Sequence, residues 1–176
     1  HMLDNFKPTW MVENIYQISP EKLKKHNIKA VFADLDNTLV AWNNPNGTPE
    51  LLAWIEDVKA NGIPVVIVSN NKDERIKIVA DHLGLYYIAR ALKPSRQGYR
   101  RASKKVGIPL ENCVMVGDQL LTDILGANRA GLRTILVRPI VQSDAWNTSI
   151  NRFFERFIMR HLLNKNPDMK WRNELD

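Results

Sequence analysis

Short apolar runs rich in Val and Ile recur along this chain, and longer segments with helical spacing lie between them. The runs Lys29–Asp34 (KAVFAD), Pro64–Ser69 (PVVIVS), Asn112–Gly117 (NCVMVG) and Arg133–Arg138 (RTILVR) read as strands buried on both faces, with Leu85–Ala89 a weaker candidate. Thr48-Pro49 offers an N-cap and a first-turn proline for a helix running to about Asn61, where Gly62 stops it. Asn71 or Asp73 can cap a second helix ending at Gly84. Ser95 begins a third that ends near Gly107, and a shorter one ends at Gly131. Strands alternating with helices predict an α/β fold, a doubly wound parallel sheet with helices on both faces.

Beyond that core, Asn147–Asn164 places Ile150, Phe153, Phe154, Phe157, Ile158 and Leu162 at helical spacing. Arg152, Arg156 and Arg160 form a stripe beside them. Two readings stand: a helix packed on the sheet, or one docked on an anionic membrane surface. The expected division is a core over residues 3–146 and a C-terminal amphipathic helix and tail over 147–176.

Composition is that of a globular chain, with 44% hydrophobic and 25% charged residues. No apolar run approaches the ~20 residues that span a bilayer, and the N-terminus lacks a signal-peptide layout. Cys113 is the only cysteine, which excludes an internal disulfide and a cysteine metal site. A cytoplasmic location is expected, with peripheral attachment to a membrane left open by the C-terminal helix. The net charge of +6 favours anionic partners: nucleic acid, acidic lipid or phosphorylated substrates. Between His82 and Leu110 there is no Asp or Glu, while Arg90, Lys93, Arg96, Arg100, Arg101, Lys104 and Lys105 all fall there. That stretch reads equally well as a solvated helix face. No recognised RNA-binding signature accompanies it, and DNA binding is not expected.

The residues that suggest chemistry follow the strand-like runs, where ligands bind in sheets of this class. Asp34-Leu35-Asp36-Asn37-Thr38 follows KAVFA. Two carboxylates leaving a buried strand repel each other, and a cation would remove that penalty. Ser69-Asn70-Asn71 follows PVVIV and offers a hydroxyl and main-chain N–H groups to an anion, or simply a helix cap. Lys93-Pro94 supplies an ammonium. Gly117-Asp118 follows CVMV, with Asp123 five residues on; the glycine permits close approach and Asp118 is a hard oxygen ligand. Each signal is weak alone, and their order and spacing make them strong together.

In that order and with those residue types, the stretch from Ala30 to about Pro139 resembles the haloacid dehalogenase superfamily. The lead-in Phe6-Lys7-Pro8, Asn14–Ile18, and the runs Asp34–Trp42, Gly117–Asn128 and Ile135–Ile140 are similar to those of the YqeG-type IIIA phosphatases. The resemblance implies a three-layer Rossmann-like fold and an aspartyl-phosphate mechanism, with Asp34 as nucleophile and Asp36 as acid/base. It implies Mg²⁺ held by Asp34, the main-chain carbonyl of Asp36, and Asp118. Ser69, Asn70 and Lys93 would take the phosphoryl oxygens, and Asp123 would stand behind the metal ligands or serve as an alternative one. The intervals of 35, 24 and 25 residues between Asp34, Ser69, Lys93 and Asp118 leave no room for an inserted cap domain. An open site suits a bulky or interfacial phosphate ester, and the YqeG type resembles phosphatidylglycerophosphate phosphatases. Phosphoproteins, nucleotides and sugar phosphates are the alternatives within the enzyme class. Outside it stands a basic adaptor for RNA, the ribosome or a GTPase.

Overall fold

The computed structural model describes residues 2–41, 43–141 and 146–176. Its six strands are β1 (Trp10–Val12), β2 (Ala30–Ala33), β3 (Val65–Val68), β4 (Tyr86–Ile88), β5 (Cys113–Gly117) and β6 (Arg133–Val137). They form one sheet in the order β1-β6-β5-β2-β3-β4, and every pair is parallel. The helices are α1 (Pro20–Lys25), α2 (Pro49–Ala60), α3 (Asp73–Leu83), α4 (Gln97–Val106), α5 (Leu125–Ala130) and α6 (Trp146–Lys165).

The period-2 geometry of a strand explains why these runs are apolar throughout. Val31, Ala33, Val65, Ile67, Val114 and Val116 face α1, α2 and α3, packing with Leu23, Leu51, Trp54, Val58 and Ile76. Ala30, Phe32, Val66, Val68, Cys113 and Met115 face the other way, against Tyr99 and Ala102 of α4 and Ala127 of α5. This is the expected three-layer α/β architecture. The chain runs outward from β2 to β4 and returns to place β5 on the other side of β2. The order of strands therefore reverses between β2 and β5, and a crevice opens at their carboxyl ends.

The cap of α2 follows the sequence: Thr48 Oγ1 accepts from Leu51 N at 3.1 Å, with Pro49 in the first turn. The start of α3 does not. Lys72 occupies the N-cap position without a side-chain hydrogen bond, because the side chains of Asn71 and Asp73 are engaged elsewhere. Ser95 lies two residues ahead of α4, whose N-cap is Arg96. Two elements, β1 and α1, had no counterpart in the strand and helix pattern. β1 is three residues long, too short to show alternation, and its free edge is covered by the tail, where Arg172 N donates to Met11 O at 2.8 Å. α1 opens on Ser19-Pro20, the same cap-then-proline signal as α2, with Ser19 Oγ accepting from Lys22 N.

Between β2 and α2 the described residues form only two isolated bridges, Asp36↔Val40 and Ala41↔Asn44, so no second domain stands there. Trp42 lies outside the described residues. The apolar stripe of α6 is divided. Ile158 and Leu162 are buried with Met11, Leu120, Ile124 and Leu136, which favours the packed reading for that side. Phe153, Phe154 and Phe157 stay exposed at 61%, 52% and 59%, so the packed reading does not account for them. Leu162→Ala should therefore cost roughly 2–5 kcal/mol, whereas Phe154→Ala should stay within about 0.5 kcal/mol. Urea denaturation of both variants checks this, and equal losses would mean that the buried side has been misassigned.

Candidate active site

The ends of β2 and β5 are joined where Asp34 N donates to Val116 O at 3.1 Å. That bond brings the residue after β2 beside Asp118, the residue after β5. Carboxylate oxygens of Asp34, Asp118 and Asp123 come within 4.8 Å of one another. Asp123 reaches this cluster from a π-helical turn at Leu120–Ile124 and lies fully buried against Gly117. A Cβ on Gly117 would overlap the Asp123 carboxylate, so the close approach expected of this glycine is real. Thr38, also buried, donates its hydroxyl to Asp118 Oδ1 at 3.3 Å and ties the loop after β2 to the loop after β5.

Lys93 enters from the loop between β4 and α4. Its Nζ lies 3.0 Å from Asp34 Oδ1 and 2.7 Å from Asp123 Oδ1. Asn70 fixes its main chain from both ends of one amide: Oδ1 accepts from Lys93 N at 2.7 Å, and Nδ2 donates to Lys93 O at 3.1 Å. Ser69 is buried at the end of β3, and its hydroxyl accepts from Asn71 N at 3.1 Å. The loop that carries the hydroxyl thus also holds the ammonium.

Asp36 is oriented differently from Asp34. Its carboxylate turns toward α3, where Arg75 Nη1 and Nη2 donate to Oδ2 and Oδ1 at 2.9 and 2.6 Å. Asn71 Nδ2 donates to Oδ2 at 2.9 Å. The next residue, Asn37, has a φ of 65° and accepts from Ile140 N and Val141 N, which pins the loop after β6. Neither Arg75 nor the use of Asn71 was legible in the sequence. An arginine on the solvent side of a helix's first turn carries no local mark of a distant partner.

The electrostatics follow from the count of charges. Burial pushes the Asp34 carboxyl up to about 7; Lys93 opposes this, and the Asp123 carboxylate adds to it. Burial also raises Asp118 well above the usual carboxylate range, with the charges of Asp34 and Asp123 acting in the same direction. For Lys93, burial works against the ammonium, but Asp123 and Asp34 overcome it and the pKa is raised. Lys93 therefore stays charged. One ammonium faces three carboxylates, which leaves a surplus of two negative charges when all are ionised. The donor set is hard oxygen in a small cluster and the surplus matches a divalent cation, so these residues fit a metal of that kind.

The C-terminal helix also approaches this region. The Glu155 carboxylate of α6 accepts from Leu121 N at 3.1 Å, at the start of the turn that carries Asp123. Between α6 and the strand ends lies a cleft of about 380 Å³ whose lining includes Asn37, Asp118, Arg138, Glu155 and Arg156.

Comparison with known proteins gives the family. The profile of the haloacid dehalogenase-like hydrolases matches residues 5–131. The chain is 48% identical over 160 residues to the probable phosphatase YqeG of Bacillus subtilis, covering 91% of this chain and 93% of that one. It is 29% identical over 146 residues to phosphatidylglycerophosphate phosphatase 1 of Arabidopsis thaliana, covering 78% of this chain but only 42% of the plant protein. Among solved structures, the fold resembles the cobalt-bound deoxy-D-mannose-octulosonate 8-phosphate phosphatase of Haemophilus influenzae. The TM-score is 0.51 at 17% identity, over 79% of this chain and 90% of that one. The chain therefore belongs to the haloacid dehalogenase-like hydrolases and is a phosphatase, a phosphoric monoester hydrolase.

Proposed function

We propose that the chain hydrolyses a bulky phosphomonoester presented at a membrane surface, phosphatidylglycerophosphate or a lipid like it, through Asp34 as nucleophile. The observation that carries the chemistry is the pairing of Asp34 with Lys93 at 3.0 Å inside a cluster of three carboxylates. An Asp34 oxygen attacks phosphorus as the bond to the substrate alcohol breaks, and Asp36 gives its proton to the departing oxygen. Water then attacks the aspartyl-phosphate, Asp36 takes up a proton, and inorganic phosphate leaves. Lys93 and Ser69 face the phosphoryl oxygens, and Asn70 contributes by holding Lys93. Asp34, the Asp36 carbonyl and Asp118 would hold Mg²⁺, with Asp123 behind them fixing Lys93. A bound divalent cation supplies positive charge that offsets repulsion between the Asp34 carboxylate and an anionic phosphoryl group. Asp36 can reach the leaving oxygen only after it parts from Arg75.

Support for the lipid comes from α6 and from a relative. Phe153, Phe154 and Phe157 are exposed together, with Arg156 and Arg160 exposed beside them. An apolar face flanked by cations suits the boundary between headgroups and acyl chains. The Arabidopsis relative carries phosphatidylglycerophosphate in its name. A screen of the purified protein against phosphomonoesters, with phosphatidylglycerophosphate in mixed micelles, tests the substrate. A clear preference for a nucleotide, sugar phosphate or phosphoprotein would replace it. RNA or ribosome binding that persists in Asp34→Asn, without turnover in the wild type, would favour the adaptor.

Asp34→Asn is nearly isosteric and relieves a crowded carboxylate cluster. Turnover of p-nitrophenyl phosphate should fall to background while the melting temperature holds or rises. Substantial activity in the folded variant would remove Asp34 from the nucleophile role.

EDTA should abolish activity and Mg²⁺ restore it. The same site predicts a pH effect on stability. Asp34 has a folded pKa of about 7 against ~3.9 unfolded, and Asp118 is raised in the same direction. Between those values the folded state binds more protons, so metal-free stability falls as pH rises toward 7. Lys93 contributes no slope in this window, because its raised pKa lies beyond it. Added Mg²⁺ should therefore raise the melting temperature more at pH 8 than at pH 5.5. A metal-free melting temperature that does not change with pH, together with no Mg²⁺ effect, would contradict the assignment.

For the membrane, vesicle binding should grow with anionic lipid and weaken with salt. Changing Arg152, Arg156 and Arg160 together to Gln should reduce binding and slow hydrolysis of the membrane-presented ester. Turnover of p-nitrophenyl phosphate, which never meets the bilayer, is the control. If neither binding nor lipid turnover changes in a folded variant, the arginine stripe has no part in docking.

A further inference from the structure

Asp36 is held by a forked ion pair that the reaction cannot keep. Arg75 donates to both of its carboxylate oxygens, and Asn71 adds a third hydrogen bond. On the reading given above, on which this inference rests, one of those oxygens must meet the alcohol oxygen of the substrate. The fork and the leaving group compete for the same atoms. Since Arg75 touches Asp36 directly, its guanidinium also stands beside the place where the alcohol part of the substrate must lie.

The pair is poised to open. The Arg75 and Asp36 side chains keep 41% and 31% of their exposure, so water or a ligand can reach both groups as the pair opens. Arg75 belongs to the first turn of α3, directly behind the Ser69–Asn71 loop that serves the phosphoryl group. It is not part of the Lys93 network, whose ammonium is buried between Asp34 and Asp123. A neutral alcohol offers Arg75 nothing in exchange for Asp36. A second anion on the alcohol replaces one charge-assisted fork by another, and in doing so frees Asp36.

We propose that Arg75 is the specificity-determining residue of this site: it pairs with Asp36 in the free enzyme and exchanges that carboxylate for a second anionic group on the alcohol portion of the phosphomonoester. Substrates with such a group, a phosphodiester or second phosphate a few atoms from the ester, are favoured because binding and release of Asp36 are one event. The ligand chemistry is the same whether the anion belongs to a lipid headgroup or to a soluble bisphosphate.

The test compares propyl phosphate with 1,3-propanediol bisphosphate, which differ in the distal anion. The wild type should prefer the bisphosphate by more than its twofold statistical advantage. In Arg75→Gln the ratio of kcat/KM values, bisphosphate over propyl phosphate, should fall by roughly tenfold or more. Arg75→Lys should recover part of it, because the charge remains without the fork. Circular dichroism establishes that each variant is folded. An unchanged ratio in folded Arg75→Gln, or a wild type with no preference, overturns the proposal. Binding is measured separately by calorimetry in Asp34→Asn, with and without Arg75→Gln. Weaker bisphosphate binding in the double variant supports Arg75 as the anion site even if the wild type turns over neither ester, an outcome that would count against the phosphatase reading instead. Equal binding by both counts against Arg75 whatever the turnover.

Discussion

The ammonium of Lys93, buried between Asp34 and Asp123, is the contact on which the site depends. Removing charges from water is expensive, and a buried carboxylate persists only if something nearby offsets it. Lys93 does this for two carboxylates from two different strand ends, and among the described residues no ion pair reaches the third, Asp118. The surrounding structure serves that contact. Asn70 fixes the Lys93 main chain, Gly117 lets Asp123 come close enough, and Tyr99 donates its hydroxyl to the main-chain oxygen of Asp123 at 3.2 Å. Losing the ammonium would leave uncompensated negative charge in the crevice, so the same residue bears on stability and on chemistry.

The residual negative charge gives the site its purpose. On the proposed reading, a divalent cation would offset the two surplus negative charges of the fully ionised cluster before an anionic phosphate enters, and the pairing of Asp34 with Lys93 would give the nucleophile a fixed direction. The second carboxylate of the same loop, Asp36, is kept out of this arrangement by Arg75. Two neighbouring aspartates are thus given separate environments: one crowded and buried, the other half-exposed in a neutral pair. Separate environments let chemically identical side chains take different tasks.

The C-terminal helix joins this centre to the surface. α6 is anchored by Ile158 and Leu162, reaches the Asp123 turn through Glu155, and lines the cleft beside Asp118. In a chain with no inserted domain among the described residues, α6 is the element that gives the open site a wall. Its three exposed phenylalanines are not among the residues lining that cleft, so one helix offers one side to the core and cleft and another to whatever lies outside.

The sequence by itself determined the parallel sheet, because runs such as VVIV and CVMV are apolar on both faces and only a strand covered by two helix layers has use for that. It also determined which polar residues stand at the strand ends, since Asp34, Ser69, Lys93 and Asp118 each follow a strand or lie in the loop beyond it. Helix caps were legible where side chain and proline act within one turn, as at Thr48-Pro49. What only the tertiary structure decided involves partners far apart in the chain. Asn71 looked like a cap and instead donates to Asp36; Arg75, which no local pattern marks, grips the same carboxylate. Asp123 looked like an accessory acid and proves to be the anchor of Lys93. The apolar stripe of α6 looked continuous, and packing divided it into a buried side and an exposed one. Local pattern records which backbone a segment prefers, while pairing of charges across 30 to 60 residues of sequence, as between Lys93 and Asp123 or Asp34, is set only when the fold brings them together.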